Sequence, residues 1–164
     1  MLRFHNYDVV FQEIPNEVTL AINISNCPHR CKGCHSPHLW EDTGELLTES
    51  VLLGLFEKYG SAITCICFMG GDRYPHKIAE LALSSRRANV KTAWYSGLDT
   101  LPEICYTQYF DYIKIGAYIE NLGGLDSAST NQRLYRIENG EMIDMTGSFR
   151  RGKFGRSINI GNKE

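Results

Sequence analysis

No stretch of this 164-residue chain is apolar for the roughly 20 residues that a bilayer-spanning helix needs. The N-terminus lacks a basic segment followed by an apolar one, so no secretory signal is read and the cytoplasm is the expected compartment. Positive charge is not in excess: 17 Lys and Arg against 19 Asp and Glu leave a formal net charge of −2, which argues against a general nucleic-acid binder. Internal repeats, low-complexity tracts and dividing linkers are all missing. One domain over residues 1–164 is therefore expected, with its core at about 8–135 and a C-terminal hairpin and basic tail over 134–164. No Ser, His and Asp set stands out for nucleophilic catalysis. The carboxylate pair Glu41-Asp42 falls in a polar stretch, where solvated surface is the plain reading.

What is present is cysteine, placed unevenly. The chain has six, and Cys27, Cys31 and Cys34 fall within eight residues, spaced Cys-x3-Cys-x2-Cys. That distribution fits a reducing compartment better than a disulfide framework. One tight loop can aim three thiolates at a common point, but three like charges need something to cancel them, and a metal centre does so. A fourth cysteine at matching spacing is missing, so the metal keeps one coordination position free, as catalytic centres do. An iron–sulfur cluster is the preferred occupant. Zinc, with His35 or His38 as fourth ligand, and unligated thiols are the alternatives. Zinc sites usually join two Cys-x2-Cys half-sites, and only one is found here.

The rest of the chain alternates strands and helices. Tyr7 to Ile14 reads as a strand, Pro15-Asn16 as a turn, and Val18 to Ile24 as a strand with one face buried. The cysteine loop follows directly. Thr48 caps a helix whose apolar stripe is Val51, Leu52, Leu55, Phe56 and Tyr59, and Gly60 ends it. Ile63 to Met69 reads as a strand buried on both faces, with Cys65 and Cys67 in the core. A helix over His76–Arg87, a strand over Val90–Tyr95, a short helix over Pro102–Tyr109 and a strand over Tyr112–Ile115 follow. Residues 121–133 are a polar loop, and Asn139-Gly140 centres a hairpin with a type I′ turn. Strand–helix alternation argues for a parallel sheet with helices outside. A closed (β/α)8 barrel needs about 250 residues, so the expected class is α/β: an open partial (β/α) barrel, mostly parallel, with outer helices.

Several further residues could carry chemistry. Gly70-Gly71-Asp72 follows a buried strand, and paired glycines let backbone approach a ligand, although an ordinary turn is the default. Ser96 ends the next strand, where Ser-Gly can simply start a loop. Lys114 sits in a short apolar strand flanked by Asp111. Burying its charge would need a partner, and an edge position in water is the alternative. Arg30, Lys32, His29 and His35 surround the thiolates and would favour their deprotonation, or are solvated loop residues.

The motif Cys27-x-His29-x-Cys31-x-Gly33-Cys34-His35, followed by Trp40, resembles the cluster loop of radical S-adenosylmethionine (SAM) enzymes. More narrowly it resembles the activating proteins of anaerobic ribonucleotide reductase, as does Asn131-Gln132-Arg133. The likeness runs from about Asp8 to Tyr135. It implies the same partial barrel, with Cys27, Cys31 and Cys34 on three irons of a 4Fe-4S cluster and SAM on the fourth. It implies SAM contacts from Gly33, Cys34, His35, Gly70, Gly71, Asp72, Ser96 and Lys114. Asp72 stands where that family has a glutamate, one methylene longer. The implied activity is reductive cleavage of SAM and formation of a glycyl radical on the large reductase subunit. The implied electron source is a one-electron reductant such as flavodoxin or ferredoxin. Another small radical SAM enzyme, acting on a different glycyl-radical protein or on a deazapurine precursor, and a non-enzymatic zinc module are the alternatives.

Overall fold

The computed structural model describes residues 1–101 and 106–151. Its strands are β1 (Arg3–Val10), β2 (Thr19–Ile24), β3 (Glu45–Leu46), β4 (Cys65–Met69), β5 (Lys91–Tyr95), β6 (Tyr112–Ile115), β7 (Arg133–Glu138) and β8 (Glu141–Asp144). Its α-helices are α1 (Glu49–Tyr59), α2 (Pro75–Arg87) and the single turn α3 (Ser148–Arg151). All the strands join one sheet in the order β3-β1-β2-β4-β5-β6-β7-β8.

The parallel core is β2-β4-β5-β6, in register through Ala21, Cys67, Ala93 and Tyr112. Around it the pairing is antiparallel: β1 with β2 and β3, β7 with β6 and β8. The expected partial barrel, mostly parallel and sheathed in helices, is therefore not what forms. The sheet is mixed, and only α1 and α2 exceed one turn among the described α-helices. The physical reason lies in the connections. A connection without a crossover, such as the eight residues from β1 to β2 or the two-residue turn from β7 to β8, reverses direction, and only crossovers keep strands parallel. The crossover from β2 to β4 gives much of its length to the cysteine loop. That from β5 to β6 shows a 3-10 turn at Tyr106–Tyr109. The rest of the helix expected over 102–109 lies outside the described residues.

Side chains alternate between two cores, as strand geometry requires. Leu20, Ile22, Ile66, Phe68, Trp94 and Ile113 face α1 and α2. Cys65, Cys67, Ala93 and Tyr112 face the opposite side, where Ile14, Leu134 and partly buried Leu125, Met145 and Phe149 cover them. This second core corrects two expectations. β2 is buried on both faces, since Thr19 and Ala21 lie beneath that cover. The first strand lies nearer the N-terminus than Tyr7–Ile14, because Pro15 and left-handed Asn16 fold Ile14 inward in a turn closed by Glu17 N–H on the Ile14 carbonyl at 3.2 Å. Cys65 and Cys67 are core residues as expected, and burial raises both thiols. At the N-terminal ends of the parallel strands the Glu17 carboxylate is buried. It accepts from Thr64 Oγ1 at 2.6 Å, from the Tyr112 hydroxyl at 2.7 Å and from Lys91 Nζ.

Local signals act as read. Thr48 Oγ1 accepts the Val51 N–H at 3.2 Å, and left-handed Gly60 closes α1 with its N–H on the Phe56 carbonyl. Thr48→Ala should lower stability by about 1 kcal/mol, read as a shift of the urea midpoint at unchanged slope. Asn139 and Gly140 both take positive φ, at 52° and 82°, as a type I′ hairpin demands. Among the described residues no helix is long and apolar enough to cross a membrane.

Candidate metal centre

Parallel strands deliver their C-terminal ends to one edge, and there an open α/β sheet offers a crevice. Four segments meet at this edge: the cysteine loop after β2, Gly70–Asp72 after β4, Ser96–Gly97 after β5 and Gly116–Tyr118 after β6. The cysteine loop is pinned at its base. Asn26 N–H donates to the Glu41 carbonyl at 2.9 Å and Cys27 N–H to the Leu39 carbonyl at 3.0 Å. The loop then doubles back through left-handed Arg30 and Gly33, at φ 46° and 74°. Cys34 N–H closes the second turn on the Cys31 carbonyl at 3.2 Å. A positive φ at the third position of such a turn explains Gly33. Arg30 is held in its unusual conformation with its guanidinium 3.2 Å from Glu41 and 6.0 Å from the Trp40 ring centre.

Cys27, Cys31 and Cys34 are free, half-buried and line one cavity of about 180 Å³. Its opposite wall carries Gly70, Asp72, Ser96 and Lys114. Asp72, with its side chain 2% exposed, is the hub of that wall. It accepts from Ser96 Oγ at 2.7 Å and Gly97 N–H at 2.9 Å, and it pairs with His29 Nε2 at 2.8 Å. Lys114 is buried in the fold, which settles the choice between buried and edge positions. Its Nζ donates to the Gly116 carbonyl at 2.6 Å and the Ser96 carbonyl at 3.3 Å. Burial pushes its pKa down to about 8, against the pull of the Asp72 carboxylate and the Cys31 and Cys27 sulfurs. Burial also raises the Cys27 thiol, although backbone N–H groups of His29 and Arg30 lower it in part. A coordinated metal ion would overcome that cost by deprotonating the thiol outright.

The expected site residues divide. Cys27, Cys31, Cys34, Gly70, Asp72, Ser96 and Lys114 share the cavity; Gly33, His35 and Gly71 do not line it. Gly33 is exposed beside Glu120, and His35 lies edge-on to Tyr118, ring centres 5.4 Å apart. Gly71 answers a packing need: a Cβ there would fall 2.6 Å from Ile78 Cδ1, so α2 sits close because the side chain is missing. Asp111 accepts the Thr92 N–H at 2.8 Å, at the opposite end of β6 from the cavity. Sequence reasoning gave no role to Gln132, which is buried in the cavity wall with Nε2 3.3 Å from the Gly116 carbonyl that Lys114 also uses. Its signal was the Asn131-Gln132-Arg133 triplet; Asn131 Nδ2 holds the neighbouring Ala117 carbonyl at 2.9 Å.

The residues suit a cluster. Three thiols border one hollow, and Trp40, whose buried indole N–H has no partner among the described residues, borders it too. Among the described residues no three His, Cys, Asp or Glu side chains gather as around a single ion. Sulfurs on a lone tetrahedral zinc would lie about 3.8 Å apart, whereas a cluster takes one thiolate on each of several irons.

No curated protein matches the chain, and no solved structure does. A family model does match, that of the 4Fe-4S single cluster domain, over residues 17–122. The matched span includes the three loop cysteines, Gly70 to Asp72, Ser96 and Lys114. From the loop, the cavity and that match, the chain belongs to the 4Fe-4S single cluster domain family and contains a 4Fe-4S cluster-binding domain.

Proposed function

We propose that the chain is a radical SAM activase, generating a glycyl radical on the large subunit of anaerobic ribonucleotide reductase with electrons from a flavodoxin or ferredoxin. One observation carries the reading: three thiols and a buried ammonium line the same cavity at the C-terminal edge of the parallel strands. Three sulfur ligands on a four-iron cluster leave one iron for an external ligand. The reading rests on this site and on the resemblance of the loop, not on the fold.

When bound, cluster and SAM together supply one-electron cleavage of the sulfonium carbon–sulfur bond and removal of a hydrogen atom from glycine. The chain's own share is positional. Cys27, Cys31 and Cys34 hold the cluster. Lys114 has three N–H donors, of which two go to the Ser96 and Gly116 carbonyls, and the third would serve the SAM carboxylate. Gln132 steadies the Gly116 carbonyl. Asp72 has its oxygens engaged by three protein donors, which fix the carboxylate beside Ser96 in the cavity wall.

The test mixes anaerobically reconstituted, reduced protein with SAM and the reductase subunit. A glycyl-radical doublet in the electron paramagnetic resonance spectrum, with methionine released, is expected. SAM cleavage without the doublet would move the assignment to another glycyl-radical protein or a small substrate. No SAM cleavage by a cluster-loaded, reduced chain would end it.

A further inference from the structure

Asp72, His29, Ser96 and Gly97 form one connected group drawn from three separate segments. Asp72 belongs to the turn after β4, His29 to the cysteine loop and Ser96–Gly97 to the end of β5. We propose that Asp72 is a positioning residue: through His29 it latches the cysteine loop to the end of β5 and holds Cys27 and Cys31 in place to receive the cluster. The inference rests on cluster binding alone and is independent of the SAM reading.

The geometry is specific. A buried carboxylate needs donors, and Asp72 finds three, at 2.7, 2.8 and 2.9 Å. Two of them, Ser96 Oγ and Gly97 N–H, fix it to β5. The third, the His29 ring, is the only one from the cysteine loop, and His29 lies midway between Cys27 and Cys31 in sequence. Ser96 is itself fixed, because its Oγ accepts the Leu98 N–H at 3.0 Å. Gly97 completes the latch by having no side chain. A Cβ there would fall 2.4 Å from His29 Cδ2 and 2.7 Å from Nε2, where the ring now rests. Elsewhere the loop holds on by backbone hydrogen bonds at its base, by Arg73 Nε on the Asn26 carbonyl at 3.0 Å, and by exposed pairs such as Arg30–Glu41 and Lys32–Glu120. Exposed pairs are weak. Among the described residues, the part-buried contact between Asp72 and His29 is therefore what ties the middle of the loop to the sheet.

Two substitutions break the latch by different routes. His29→Ala removes the ring; Gly97→Ala leaves ring and carboxylate intact but displaces one from the other. His29→Gln is the conservative control, since its amide nitrogen can still donate to Asp72. Hydrogen exchange of amides 27–34 is followed in the iron-free chain. Loss of cluster to a chelator, and the spectrum of the reduced cluster, are followed in the iron-loaded chain. The expected result is faster loop exchange and cluster loss about 10- to 100-fold faster in both alanine variants, a range set by what outer contacts to metal ligands usually contribute. An altered reduced-cluster spectrum should accompany it, with His29→Gln within a few-fold of wild type. Wild-type loop exchange and cluster retention in both alanine variants would overturn the proposal. So would equal loss of protection throughout β4 and β5, which would make the contact a general stabiliser. Neither readout uses SAM, so failure here is separable from failure of the activase reading.

Discussion

Replacing Cys31 by alanine should take the iron content of reconstituted protein from about four per chain, the complement of a 4Fe-4S centre, to less than one. Cys31 sits between the two turns of the loop, and the other two thiolates alone would leave two irons without protein ligands. Chelation by one loop is cooperative, because each thiolate that binds holds the next near its iron. The contrast is Cys65→Ala, which should keep full iron. Cys65 is fully buried on β4 in the face away from the helices, and its loss removes packing on the order of 1 kcal/mol. Iron and acid-labile sulfide after anaerobic reconstitution decide between the two. A Cys31→Ala protein with wild-type iron, or a Cys65→Ala protein without it, would place the cluster elsewhere.

The second large effect concerns Lys114 and pH in the iron-free chain. Its pKa falls from 10.5 to about 8 on folding, chiefly through burial. Below pH 8 folded and unfolded chains both carry the proton, and the cost of the buried charge is present in full. Between about 8 and 10.5 only the unfolded chain keeps it, so this group's contribution to stability rises with pH. The rise totals about 3 kcal/mol and then levels off. Other groups work the opposite way in this range: burial raises Cys65, Cys67 and Tyr112, whose ionisation favours unfolding. The clean measurement is therefore a difference. Urea unfolding of wild type and Lys114→Met, compared from pH 7 to pH 10.5, should show the balance moving toward wild type by about that amount. A difference that stays flat with pH would mean that Lys114 is not buried as a cation.

Local chemistry was legible where the signal lies within a few residues. Thr48 and Gly60 bracket α1, Asn139-Gly140 makes the hairpin, and the apolar run at Cys65–Met69 is a buried strand. The cysteine spacing likewise pointed to the cavity. Sheet direction was legible for the parallel core and for the β7–β8 hairpin, but strand–helix alternation reports crossovers and is silent on β1 and on the pairing of β7 with β6. β2 read as one-sided because Thr19 and Asn23 are polar; the second core that covers Thr19 comes from Ile14, Leu134 and other distant positions. Asp72 was read as a ligand contact. The protein groups it meets, His29 and Ser96, lie 43 and 24 residues away, and nothing near it in sequence shows which way the carboxylate turns.

Glu17 and Asp72 are both buried carboxylates, one beneath each end of the same four parallel strands. That placement splits tolerance to change along the strand axis. Substitutions around Glu17 should register in melting temperature and leave cofactor loading alone, while those around Asp72 should alter loading as well. A search for hardier variants of this chain would begin at the Glu17 end.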